Sequence, residues 1–151
     1  MIPQLKSKNT AYLRYLADKK NMIFSVKRII RDMKILEEEM HEMPYITATP
    51  MEENLFIWHG NLKGTEDNPY KGMLVHFKLT LPYNYPIDPP IINIMTPLKH
   101  PNVFGNYLCL SMFDIGTKKL HKKWSTAYTL QSILLQLQSC LLYTSPSPRD
   151  S

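Results

Sequence analysis

The chain has 151 residues and a formal net charge of +5, with 44% hydrophobic and 21% charged residues. This length and composition fit one folded domain with its own core and exclude a wholly disordered chain. No apolar run reaches membrane-spanning length, so we expect no membrane partner. The basic residues are spread over several segments without interleaved aromatic residues that could stack on bases, so we do not expect nucleic acid as a partner.

The cysteine content indicates a reducing compartment. The chain has only Cys109 and Cys140, which lie 31 residues apart and follow no signal peptide. Two such cysteines do not form the disulfide framework of a secreted protein. We therefore expect a cytoplasmic or nuclear protein.

The first predicted element is an amphipathic helix over residues 24–40, with Ser25 available as its N-cap. Apolar residues recur there at helical spacing, at Val26, Ile29, Ile30, Met33 and Met40. Residues 1–22 show only weak helical periodicity and are interpreted as an N-terminal extension. The other face of the helix carries four cations, Lys27, Arg28, Arg31 and Lys34, and is either a solvated face or a docking surface.

The middle of the chain changes from helical to alternating periodicity, which predicts an antiparallel meander. Four strands are predicted, at 45–49, 55–62, 73–81 and 91–95. The segment 63–72, with glycines near both ends and an Asn-Pro pair inside, is predicted to be a tight turn. The four prolines in 81–90 remove backbone donors and fix φ, so this segment is predicted to be a rigid loop.

A second amphipathic helix is predicted over residues 129–139, with Thr129 as its cap. Its apolar residues Leu130, Ile133, Leu134 and Leu137 follow helical spacing. Residues 100–124 are then predicted to be a long loop without secondary structure, a type of segment that is often functional. Helices before and after a block of strands predict an α+β fold with the helices on one face of the sheet.

The last residues, from Cys140, read CLLYTSPSPRDS. Their first eleven letters resemble one reading frame of a transposase adapter used in sequencing libraries. We therefore interpret 140–151 as a non-native tail and expect the natural sequence to continue differently after Ser139. The alternative is a genuine Ser/Pro-rich disordered end.

Five segments, in order, resemble the ubiquitin-conjugating enzymes. They are VKRIIRDM, GTEDNPYKG, PYNYPIDPP, HPNVFGNYLCL and WSTAYTLQSILLQLQS. The resemblance covers residues 24–139 and implies the α+β fold, with a core domain over 23–139 that lacks the family's last two helices.

For Cys109, the resemblance implies a nucleophile that receives ubiquitin as a thioester from an activating enzyme and passes it to a substrate lysine. Without the resemblance, a thiol between two leucines is more often a packed core residue. Asn102 is implied to support the oxyanion or to shape the loop, although a plain turn residue is an alternative. His100 and Pro101 are implied to build the active-site loop, and Ser111 to lie at the edge of the groove.

Two other interpretations of the cysteine remain open. His100 could act as a base in a Cys/His hydrolase, but the sequence shows no third group to orient it. The chain could also be a non-catalytic binding module of the same fold, or a conjugating enzyme for another modifier such as SUMO. Members without activity usually lack the cysteine.

The resemblance also implies partners, namely ubiquitin, an activating enzyme, a ubiquitin ligase and a protein substrate. It implies no metal and no cofactor, since ATP is used by the activating enzyme. The cationic helix face matches the surface that docks the activating enzyme. At the two loops that contact ligases, this chain has Ile87 and Thr126 where many members have Phe and Pro. The spacing from Asn102 to Cys109 is one residue shorter than is usual.

Overall fold

The computed structural model describes residues 2–110 and 124–143, and for residues 2–12, 15 and 143 it describes the backbone only. Helix α1 spans Ile2–Glu39 and is followed by a short 3-10 turn, Met40–Glu42. The strands are β1 Ile46–Met51, β2 Asn54–Lys63, β3 Leu74–Thr80, β4 Ile91–Ile94, β5 Val103–Phe104 and β6 Tyr107–Leu108. Helix α2 spans Leu130–Tyr143. No described helix is long and apolar enough to cross a bilayer.

The six strands form one antiparallel sheet in the order β1-β2-β3-β4-β6-β5. The four predicted strands are confirmed as its first four members, and the α+β fold is confirmed with them. The prediction that 100–124 lacks secondary structure is wrong at its start, because β5 and β6 form a short hairpin on the edge of β4. The predicted loop 81–90 contains no strand.

The core lies between one face of the sheet and the two helices. Strict alternation places Trp58, Leu62, Phe77 and Leu79 on the inner face, where all are at most 1% exposed. The apolar face of α2 closes the core, and α1 packs against α2. All four apolar residues predicted to face inward from α2 are buried.

The predicted start of the first helix is wrong. Helix α1 runs without a break from Ile2, because its only Pro or Gly is Pro3 in the first turn, where proline is tolerated. Ser25 is therefore not an N-cap; its buried hydroxyl donates to the carbonyl of Tyr83, 2.6 Å away in the proline loop. Ile30, predicted to face the core, is 37% exposed.

Helix α2 begins as predicted and ends later than predicted. Thr129 Oγ1 accepts a hydrogen bond from the backbone N–H of Ser132 at 3.3 Å, so the predicted cap is confirmed. The helix continues past Ser139 to Tyr143, and Leu141 and Leu142 are buried in the core. Leu141 extends the helical spacing of Leu134 and Leu137. Whether residues 140–151 are native concerns their origin and stays a prediction.

Candidate active site

Cys109 is exposed and directly follows β6, the second strand of the β5-β6 hairpin. Its two neighbours, Leu108 and Leu110, are 0% and 4% exposed and fix the backbone in the core. Because successive side chains of an extended chain point to opposite sides, burying both leucines turns the cysteine outward. The alternative of a packed core thiol therefore does not describe this cysteine.

The hairpin before the cysteine is as short as a hairpin can be. Val103 lies opposite Leu108 and Phe104 opposite Tyr107, which leaves two residues, Gly105 and Asn106, in the turn. Gly105 has φ of 64°, a conformation that glycine adopts without strain and that two-residue hairpin turns require. The spacing from Asn102 to Cys109, which is one residue shorter than is usual in the family, is thus accommodated by this tight turn.

Asn102 and Cys109 close the base of this hairpin. The Cys109 backbone N–H donates to the Asn102 carbonyl at 2.8 Å, and Asn102 Nδ2 donates to the Cys109 carbonyl at 3.0 Å. A side-chain amide carries two N–H groups, so one holds the loop and the second is left for another acceptor. Shaping the loop and supporting an oxyanion are therefore compatible roles for Asn102.

His100 is buried beneath this loop, with 5% of its surface exposed. Its Nδ1 accepts a hydrogen bond from the Asn102 backbone N–H at 3.0 Å, and its Nε2 lies 3.0 Å from the Cys140 carbonyl. Since a carbonyl only accepts, the ring is neutral with its proton on Nε2. Burial lowers the pKa of His100, and the hydrogen bond to the Cys140 carbonyl partly opposes that shift.

This arrangement gives His100 no free lone pair with which to deprotonate the thiol. Its one acceptor nitrogen is used by a backbone N–H, and its other nitrogen is a donor. The geometry therefore argues against the Cys/His hydrolase and favours a loop-building histidine. Its partner on α2 is a backbone carbonyl, which any residue at position 140 would supply.

The turn between β2 and β3 braces the same loop from a second side. Tyr70 Oη donates to the carbonyl of Lys99 at 2.8 Å, next to His100. Asn68, which is 6% exposed, donates from Nδ2 to the carbonyl of Leu142 and accepts from the Tyr70 N–H at 2.8 Å. Sequence reasoning recognised this turn but missed its contacts, because polar turn residues do not reveal their distant partners.

Comparison with known proteins identifies the family of the chain. The family model for "Ubiquitin-conjugating enzyme" matches residues 28–151. The chain belongs to the ubiquitin-conjugating enzyme family. It is therefore a ubiquitin-transferring enzyme, as the resemblance predicted, and as a member of that family it interacts with ubiquitin, activating enzyme and ligases in general.

Individual family members agree with this assignment. The chain is 34% identical over 141 residues to "Ubiquitin-conjugating enzyme E2-20 kDa" of Schizosaccharomyces pombe, covering 92% of this chain and 73% of that protein. It is 31% identical to "Ubiquitin-conjugating enzyme E2 2" of Kluyveromyces lactis, covering 81% and 68%. Human ubiquitin-conjugating enzyme E2 G1 superposes with a TM-score of 0.66 at 25% identity, covering 78% of this chain and 93% of that one.

The helix cations predicted to dock activating enzyme do not share one environment in this ubiquitin-conjugating enzyme. Lys27, Arg31 and Lys34 are exposed. Arg28 instead donates from Nε to Asp32 Oδ1 at 3.0 Å and from Nη2 to the Tyr128 carbonyl at 2.9 Å. Arg28 thus joins α1 to the segment before α2, and the three exposed cations form the accessible part of the predicted surface.

Asp32 is the buried end of this ion pair. Its side chain is 0% exposed, and its second oxygen accepts a hydrogen bond from Tyr85 Oη at 2.9 Å. Burial, together with the negative charge of Asp32, raises the pKa of Tyr85 far above its ordinary value, so the phenol remains a donor. Arg28, Asp32 and Tyr85 therefore bind the proline loop to helix α1.

The two predicted ligase-contact residues lie on loops that are tied together. Ile87 is 66% exposed and Thr126 is also exposed. Between them, the buried Trp124 donates from Nε1 to the Pro86 carbonyl at 2.9 Å. Of the remaining predicted site residues, Pro101 is exposed beside His100, and Ser111 lies outside the described residues.

Proposed function

We propose that Cys109 is the residue of this enzyme that carries ubiquitin. The observation that carries the proposal is an exposed thiol on a backbone that is held by Asn102, His100 and two buried leucines. An exposed thiol is accessible to a thioester at the carboxyl terminus of ubiquitin, even though that thioester is attached to a large enzyme. A backbone held by hydrogen bonds keeps the sulfur in place. The sequence order of HPN and cysteine supports the same assignment.

The reaction proceeds in two exchanges. The Cys109 thiolate attacks the carbonyl carbon of ubiquitin held as a thioester on the activating enzyme. The new C–S bond forms as the old one breaks, and the activating-enzyme cysteine leaves as its thiolate. A substrate lysine amine then attacks the Cys109 thioester. The C–N bond forms, the Cys109 thiolate leaves and the amine loses a proton, giving an isopeptide bond.

Asn102 is proposed to assist the second exchange. Attack of the amine places negative charge on the thioester oxygen, and a preorganised amide N–H stabilises such an oxyanion without bringing a charge of its own. The N–H of Asn102 that is not bonded to the Cys109 carbonyl supplies this donor. His100 and Pro101 keep the loop in shape, and Ser111 is proposed to lie at its edge.

The partner surfaces complete the proposal. Lys27, Arg31 and Lys34 present positive charge to an acidic surface of the activating enzyme, with Arg28 anchoring the helix beneath them. The loops of Ile87 and Thr126 are proposed to receive the ligase. The enzyme itself needs no metal or cofactor, since ATP serves the activating enzyme. A free thiol nucleophile suits the cytoplasm or nucleus, where thiols stay reduced.

The test is single-turnover loading of the full chain with activating enzyme, ATP and fluorescent ubiquitin. We expect a thiol-sensitive adduct in the unchanged chain and in Cys140→Ser, and none in Cys109→Ala. Cys109→Ser should give an adduct that survives thiol but not hydroxide, since serine forms an oxyester. An adduct that persists in Cys109→Ala, or that forms only when SUMO replaces ubiquitin, would overturn the proposal.

A further inference from the structure

Two histidines lie side by side on the outer face of the sheet. Nδ1 of His59 on β2 and Nε2 of His76 on β3 are 2.8 Å apart, and the ring centroids are 5.1 Å apart. Their sequence neighbours Trp58, Val75 and Phe77 are buried in the core, so alternation places both rings on the opposite face. Neither histidine contributes to the site around Cys109.

The separation of the two nitrogens is close to that of two ligands on one metal ion. With metal–nitrogen bonds of about 2.1 Å, two ligands at a right angle stand about 3.0 Å apart. Each ring can present the required lone pair when its proton is on the other nitrogen, since neutral imidazole has two tautomers. A metal would therefore replace the hydrogen bond between the rings after a small movement of the half-exposed side chains.

The sheet holds the pair in place before any metal arrives. Strands β2 and β3 pair in continuous register from Ile57 opposite Thr80 to Lys63 opposite Leu74. Within that register, His59 lies opposite Lys78 and His76 opposite Asn61. Because both backbones are fixed, chelation costs little conformational entropy beyond that of two rings.

The surroundings select the metal. The described residues contain no group of three or more His, Cys, Asp or Glu able to hold an ion, so the remaining positions are left to water. The groups beside the pair are Thr49 of β1, Asn61 of β2, Lys78 of β3 and Thr96, whose hydroxyl accepts a hydrogen bond from the His76 backbone N–H. None of them supplies negative charge and Lys78 is a cation, so binding relies on the two imidazoles. The site therefore favours the divalent ion that binds imidazole most strongly, and Cu²⁺ heads the first-row affinity order in nitrogen and oxygen geometry.

We infer that His59 and His76 form a two-imidazole site for divalent copper that clamps β2 to β3. The folded sheet holds the two imidazoles 2.8 Å apart and therefore binds the ion more tightly than the unfolded chain, in which they are separated. Copper binding must then raise the unfolding temperature as its free concentration passes the dissociation constant.

The test uses the full chain carrying Cys109→Ser and Cys140→Ser, so that thiols neither bind nor reduce copper and the result is independent of the proposed activity. Titration with Cu²⁺ is followed by calorimetry and by electron paramagnetic resonance. We expect one ion per chain, two coupled imidazole nitrogens, and a higher unfolding temperature. His59→Gln or His76→Gln should weaken binding on the order of a hundredfold, because one of two linked ligands is lost.

The matched control is His41→Gln, which removes an exposed histidine outside the sheet and should leave binding unchanged. Circular dichroism without metal checks that each variant folds. If the His59→Gln and His76→Gln variants do not fold, the chain that retains both histidines is used instead. In that chain, NMR measures the loss of the histidine ring proton signals as Cu²⁺ is added. The inference is overturned if folded His59→Gln and His76→Gln bind Cu²⁺ as tightly as the parent. It is also overturned if the ring proton signals of His59 and His76 disappear only at higher Cu²⁺ concentrations than the signal of His41.

Discussion

Asn102 and Cys109 are joined by two hydrogen bonds that run in opposite directions, one from the asparagine side chain and one from the cysteine backbone. The pair closes a tight hairpin whose turn consists of Gly105 and Asn106. The position of the thiol is therefore set by the residue that we propose to act on the thioester oxygen. The side-chain amide of Asn102 therefore shapes the loop and is also the group that we propose to stabilise the oxyanion.

Replacing the Asn102 amide should affect the two steps of the reaction differently, namely formation of the Cys109 thioester (loading) and transfer of ubiquitin from it to lysine (discharge). Asn102→Ala should slow transfer of ubiquitin to free lysine about a hundredfold, the cost that is typical of losing one preorganised oxyanion donor. Formation of the Cys109 thioester should fall far less, since the thiol remains. Both rates are measured in single turnover, with Asn106→Ala as the control in the same hairpin. Equal loss in loading and discharge would assign Asn102 to loop structure alone.

The buried His100 makes stability depend on pH. Its folded pKa is lowered from the ordinary 6.5, so below that value the unfolded chain takes up a proton that the folded chain resists. The free energy of unfolding should therefore decrease as the pH falls below about 6.5 and level off below the folded pKa. Thermal unfolding at pH 7.5 and 5.5 should show a smaller decrease in His100→Gln than in the parent. The exposed His41 provides the control variant, His41→Gln. A decrease in His100→Gln as large as in the parent would contradict the prediction.

The Arg28–Asp32 ion pair should contribute more to stability than to partner binding. Arg28→Ala leaves the fully buried Asp32 carboxylate without its cation, a change that typically costs about 3–5 kcal/mol. Arg31→Ala, three residues further along the same helix and exposed, should change the free energy of unfolding by no more than about 0.5 kcal/mol. Chemical denaturation compares the two. Similar losses in both variants would show that burial of Asp32 does not set the cost.

The exposed cations of α1 should act on loading by the activating enzyme. Replacing Lys27, Arg31 and Lys34 together by alanine should slow thioester formation and weaken its dependence on salt, because the attraction is electrostatic. The unfolding temperature should hardly change. The control is Lys63→Ala with Lys71→Ala, which removes exposed lysines elsewhere. Unchanged loading in the triple variant would locate the docking surface outside this helix face.

Local patterns in the sequence were enough to predict much of this protein. Alternation located the four main strands, helical spacing located the buried face of α2, and the Thr129 cap was correct because capping depends on residues three positions apart. The order of HPN and cysteine, with four other segments, led to the family. These features depend on neighbouring residues, so a single sequence contains them.

The contacts that the sequence did not reveal depend on residues far apart in the chain. Ser25 resembles a cap, but its hydroxyl donates to the carbonyl of Tyr83. Arg28 resembles a surface cation, but it also donates to the distant carbonyl of Tyr128. The sequence by itself determined the four main strands, the second helix and the family, and it led to the proposal for Cys109, because period, capping and motif order are local. Only the tertiary structure decided that His100 is a neutral brace, that Cys109 faces solvent, and that His59 meets His76, because each depends on which distant groups the fold brings within hydrogen-bonding distance.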